Sequence, residues 1–96
     1  MRTVTHPGKM LKYEFLDELG ISARELARSM NVPPNRVTTL LNGTRGMTAD
    51  TAIRLEKVLG VSAEFWMRLQ DAHDLSRAQN ENDYTGLARR KELECA

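Results

Sequence analysis

Apolar residues return at helical spacing along most of this chain. Leu11, Phe15 and Leu19 recur every fourth residue, Met10 and Leu16 widen the stripe, and Lys9, Lys12, Glu14, Asp17 and Glu18 fall off it. Pro7 suits the first turn of that helix, and Gly20 ends it as a left-handed cap. Ser22 opens a second helix, with Glu25 at the spacing of a capping box. Leu26, Met30, Val32, Val37 and Leu40 are the apolar positions of the next two helices. The second of these starts at Pro34 and runs to about Asn42, where Gly43 caps it. Thr48 caps a fourth helix carrying Ala52, Ile53, Leu55 and Leu59, which Gly60 ends. Ser62 caps a fifth, with Phe65, Trp66, Leu69 and Ala72 on one stripe. The pattern fades from about Arg77. An all-α architecture of five helices follows. Residues 1–7 are expected to form a loose arm, 8–76 the domain, and 77–96 a mobile tail with at most a short helix from Leu87 to Leu93.

Within this succession, Ser22 to Gly43 has the spacing of a helix-turn-helix. Ala27 stands where two helices come closest, so that a side chain larger than methyl forces them apart. Asn31 stands at a turn that needs a positive φ, which Asn tolerates best after Gly. Pro33 cannot continue a helix, whereas Pro34 fits the first position of the next. The residues left to face outward are Asn35, Arg36, Thr38, Thr39 and Asn42. Short polar and cationic groups of this kind hydrogen-bond base edges and phosphates. Arg36 is the best candidate for a two-point contact with guanine, the alternative being a contact to phosphate alone. Pro34 begins the helix that enters a major groove in this motif. Arg24 in the first turn of the preceding helix, and Thr44 and Arg45 in the following loop, are expected to contact phosphates.

Charge changes this picture only locally. The chain of 96 residues has a net charge of +1. From Ser22 to Lys57, however, Arg24, Arg28, Arg36, Arg45, Arg54 and Lys57 outnumber Glu25, Asp50 and Glu56 by three. From Val58 to Asn82 the balance turns acidic. A phosphate-binding surface needs a cationic face rather than a basic chain. No apolar run spans a bilayer, and the N-terminus lacks the apolar core of a signal peptide, so a cytoplasmic protein with no membrane partner is expected. The lone Cys95 forms no disulfide framework. His6, His73 and Cys95 are too scattered for a metal, and no Gly-rich phosphate loop is present. No cofactor, metal or enzymatic activity is expected. Phe65 and Trp66 together exceed what a small core needs. Part of that stripe, namely Trp66, Leu69, Ala72, His73 and Leu75, is therefore expected to form a dimer interface, the alternative being that Phe65 and Trp66 simply complete the core.

His6-Pro7-Gly8, the helix-turn-helix, Thr48 to Leu55 (TADTAIRL), and Glu64 to Gln70 (EFWMRLQ) with Asp74-Leu75 resemble the HigA-type antitoxins. These are the VapI/HigA group of phage-repressor-like helix-turn-helix proteins. The resemblance covers about residues 5–76 and implies a five-helix, lambda-repressor-like DNA-binding domain. It also implies a homodimer that represses transcription from its own operator and neutralises a HigB-type toxin, an endoribonuclease that cuts messenger RNA. Asn35, Arg36, Thr38, Thr39 and Asn42 carry over by position, while toxin contacts do not. Two other readings compete: a stand-alone helix-turn-helix repressor without a toxin partner, and a protein-sequestering module without an operator.

Overall fold

The computed structural model describes residues 3–93. Cys95 and the last residues of the expected tail lie outside them, as does the start of the expected arm. Five helices are formed and no strand occurs among the described residues. The first, α1, comprises Pro7–Met10, a π-helical stretch Leu11–Leu16, and Asp17–Leu19. It is followed by α2 (Ala23–Met30), α3 (Pro34–Leu41), α4 (Ala49–Leu59) and α5 (Ala63–Glu81). Leu11, Leu16, Leu26, Ala27, Met30, Val37, Leu40, Met47, Ala52, Leu55 and Trp66 form the core.

Local chemistry accounts for the helix boundaries. Ser22 and Glu25 make both halves of the capping box: the Glu25 N–H donates to Ser22 Oγ at 3.1 Å, and the Ser22 N–H donates to Glu25 Oε1 at 3.4 Å. Thr48 and Ser62 cap α4 and α5 through their hydroxyls. Asn31 has φ 58°, the one positive value outside glycine among the described residues. Its left-handed turn lets the Val32 N–H close on the Ala27 carbonyl at 3.0 Å.

Three features depart from the sequence pattern. The π stretch in α1 places one more residue in each turn, as the Asp17 N–H donating to the Lys12 carbonyl shows. The end of the helix is thereby rotated: Leu16 is buried, and Leu19, expected on the inner stripe, is 58 % exposed. Residues 3–6, the described part of the expected arm before α1, are not loose. His6 and Pro7 are buried, the Val4 N–H donates to Ser76 Oγ at 2.8 Å, and Asn80 donates to Thr3 Oγ1 at 3.0 Å. These contacts also explain why α5 continues past Arg77 to Glu81, assisted by an Arg77–Glu81 ion pair one turn apart. Beyond it, the described chain is exposed throughout, and the expected 87–93 helix is reduced to a 3-10 turn, Lys91–Leu93.

The third departure is Trp66, which is not a dimer contact. It is 0 % exposed and packs between Phe15 and Phe65, each ring centroid 5.4 Å away. Its indole N–H has no protein acceptor, a cost of about 1–3 kcal/mol that the burial of its large apolar surface outweighs.

Gly8 sits where α1 meets α3. A Cβ added there lies 1.8 Å from the Leu40 carbonyl oxygen, closer than any side chain is tolerated. Gly8→Ala is therefore expected to cost about 3 kcal/mol by overpacking against backbone that cannot yield, measured by urea unfolding.

His6 supplies a second prediction. The Gly8 N–H donates to its Nδ1 at 2.9 Å, which requires that nitrogen to be unprotonated. Burial, then the neighbouring His73 and Lys9, lower its pKa from 6.5, against the opposing influence of Asp74 and the Arg45 backbone. Because the folded value lies below the unfolded one, the neutral form's contribution is complete above pH 6.5 and is lost as pH falls toward the folded value. Unfolding free energy is expected to drop as pH falls below 6.5, and His6→Asn, which keeps an acceptor for Gly8, should flatten that dependence.

Candidate nucleic-acid interface

The fold commits little of α3 to the core. Val37 and Leu40 are its buried side chains, with Leu41 partly covered. Pro34, Asn35, Thr38 and Asn42 are exposed, and Thr39 is half-buried. A short polar surface thus stands clear of the domain, beginning after Pro33 and without a side-chain cap at its N-terminus.

The two threonines are engaged locally. The Thr39 hydroxyl donates to the Asn35 carbonyl at 2.5 Å, and the Thr38 hydroxyl approaches the same oxygen at 3.4 Å. With their protons directed along the helix, both oxygens remain as acceptors. Acceptors of that kind suit the exocyclic amino groups of adenine and cytosine in a major groove.

The loop after α3 is anchored rather than flexible. The Thr44 N–H, the Arg45 N–H and the Thr44 hydroxyl all donate to the Thr39 carbonyl, at 3.0, 3.2 and 3.1 Å. Gln70 of α5 holds the far end: the Met47 N–H donates to Gln70 Oε1 at 2.6 Å, and Gln70 Nε2 donates to Asp74 Oδ1 at 2.9 Å. A Cβ on Gly46 would lie 3.3 Å from the Gln70 amide, so a small residue is needed where the loop crosses α5. Thr44 and Arg45 are exposed on this fixed loop, beside the end of α3.

At the start of α3, Arg24, Arg28, Val32 and Pro34 line an open depression of about 320 Å³. Arg28 was not among the residues expected here. Its signal is that it follows Arg24 by four residues and so shares its face of α2.

Arg36 differs from the sequence expectation. Its guanidinium is not directed freely outward: Nη1 donates to Asp50 Oδ2 at 2.5 Å, and the side chain is 30 % exposed. The same carboxylate oxygen accepts from Arg54 Nε at 2.9 Å. Hydrogen bonds from Arg54 and Arg36 hold the Asp50 carboxyl below the usual carboxylate range. The pairing could not be found from local spacing, because Arg36 and Asp50 are 14 residues apart.

The remaining expected residues lie on α5. Leu69 and Ala72 are half-buried and Leu75 is 63 % exposed. His73 serves the fold instead of an open surface. Its Nδ1 lies 2.6 Å from the Val4 carbonyl, and its ring meets that of His6 edge-on at 4.9 Å.

With this geometry in place, comparison with known proteins is decisive. A family model described as helix-turn-helix matches residues 12–66. Antitoxin HigA-1 of Vibrio cholerae is 45 % identical over 73 residues, covering 76 % of this chain and 69 % of that protein. A HigA-family addiction-module antidote protein from Coxiella burnetii superposes with a TM-score of 0.78 at 45 % identity, covering 83 % of this chain and 87 % of that one. This chain belongs to the HigA antitoxin family. Another structure similar to this HigA-family chain is PA4674 of Pseudomonas aeruginosa, solved in complex with its operator DNA. It has a TM-score of 0.80 and 42 % identity, over 82 % of this chain and 87 % of that one. The described residues of this HigA-family protein contain no cluster of His, Cys, Asp and Glu able to hold a metal, and no helix long and apolar enough to cross a membrane.

Proposed function

We propose that this protein is the antitoxin of a type II toxin–antitoxin module. It neutralises a HigB-type, mRNA-cleaving toxin and, as a homodimer, represses its own promoter. The observation that carries the DNA-binding half is the uncovered polar face of α3 between two cationic flanks. Asn35, Arg36, Thr38, Thr39 and Asn42 would meet bases or the groove wall. Arg24, Pro34, Thr44 and Arg45 would meet the backbone on either side, joined by Arg28. Family membership supports the toxin-neutralising half.

The dimer would form along α5, where Phe65, Leu69, Ala72 and Leu75 continue one apolar stripe toward solvent. Trp66 and His73 drop out of that stripe because both are engaged within the protomer. Two copies would then place their α3 helices about 34 Å apart, one helical turn of DNA. Leu75→Glu is expected to give a folded monomer. Sedimentation should show the halved mass while the helical circular dichroism is retained.

The reading is tested by titrating the promoter upstream of the gene across a salt series. With roughly six to ten phosphate contacts per dimer, the slope of log K against log salt is expected between about −5 and −9. Arg36→Ala should weaken operator binding by about 1–3 kcal/mol and relax preference at one base position. A shallow slope with no preference over random duplex overturns the DNA-binding reading. For the toxin, a small basic open reading frame beside this gene should be toxic when expressed alone and silenced by this chain. Operator binding without such a neighbour would leave a stand-alone repressor.

A further inference from the structure

The ion pair between Arg36 and Asp50 places the one cation of α3 against a carboxylate of the same chain. We infer that Asp50 is a positioning residue that sets sequence specificity. It competes with DNA for the Arg36 guanidinium, withholds that charge from nonspecific phosphates, and yields it only where operator bases offer a two-point contact. This rests on the reading of α3 as the groove-entering helix.

Three observations make the exchange feasible. First, the pair is accessible: the Arg36 side chain is 30 % exposed and that of Asp50 57 % exposed, so a half-solvated ion pair is all that must be released. Second, Asp50 is not abandoned when Arg36 leaves. Arg54 Nε stays on the same oxygen at 2.9 Å, and Arg54 is itself fixed because its Nη1 donates to the Met30 carbonyl at 2.8 Å, at the end of α2. Release therefore leaves no unpaired carboxylate and does not unpin α4 from α2. Third, Arg36 meets Asp50 through a single hydrogen bond from Nη1. A phosphate also accepts two guanidinium bonds, but its pull on this side chain is mainly charge attraction, which the paired Asp50 carboxylate cancels. The O6 and N7 of guanine accept two parallel bonds and do gain.

The test compares the full-length protein with Asp50→Asn, which keeps the shape and removes the charge, on the operator and on random duplex of equal length. The substitution is expected to tighten random-duplex binding. It should also steepen that salt slope by about 0.9, equivalent to roughly 3.5-fold more affinity lost between 50 and 200 mM salt, because one more phosphate is engaged. Operator affinity should change less, so the ratio of specific to nonspecific binding falls. Asp50→Glu should restore the ratio, and adding Arg36→Ala should abolish the effect of Asp50→Asn. A role in stability alone would move neither the salt slope nor the ratio. Side-chain NMR of the wild-type guanidinium gives a measurement independent of any variant. Arg36 should keep its free-state signal on random duplex and shift only on the operator. An unchanged ratio in Asp50→Asn, persistence of its effect without Arg36, or an Arg36 signal that shifts equally on both duplexes overturns the proposal. Loss of operator preference in the wild type would instead overturn the DNA-binding reading beneath it.

Discussion

A helix that must offer most of its surface to a partner can spare few side chains for the fold. In α3 the buried ones are Val37 and Leu40. Side chains of that size contribute about 1.5–3 kcal/mol each, enough to seat a helix but too little directional to aim it. Aiming falls to polar and backbone contacts at its two ends. Near the start, Asp50 reaches Arg36 from α4. At the end, the Gly8 backbone abuts the Leu40 carbonyl, and the Thr39 carbonyl gathers three donors from the next loop. The presentation of the polar face depends on these contacts.

The same logic ties the helix to parts of the chain far from it. His6 caps α1, Gly8 follows it onto α3, and His73 of α5 meets both the His6 ring and the Val4 carbonyl. Gln70, one turn earlier on α5, fixes the loop that carries Arg45. A change on the last helix therefore reaches the polar face of α3 through two short routes. The Gln70 route is made of hydrogen bonds, whereas the His73 route joins hydrogen bonds to a ring contact and to the close approach of Gly8 to α3.

How much of this was legible in the sequence follows from the range of each interaction. Caps are local. Ser22 with Glu25, Thr48, Ser62, Gly20, Asn31 and Gly60 were readable because each acts within a few residues, and the structure has them in those roles. The outward face of α3 was readable for the same reason, since helical spacing separates Val37 and Leu40 from Asn35, Thr38 and Asn42. The Arg36–Asp50 pair, the Gln70 bridge and the docked Val4 were not, because each joins residues from different elements. The π stretch in α1 was hidden because a 3.6-residue period assumes the hydrogen bonding that it breaks. The extra turn of α5 was hidden because its support comes from residues 3 and 4, more than seventy positions away.

The burial of Trp66 has a practical side. It is the chain's single tryptophan, and it is sealed between two phenylalanine rings. Indole emission from this molecule is therefore an optical gauge of the core and of the Phe65 ring that closes over it. Loosening of the core moves the emission toward the red. A duplex laid along the outer surface touches no indole, so the folded state can be watched by fluorescence while another signal follows the nucleic acid.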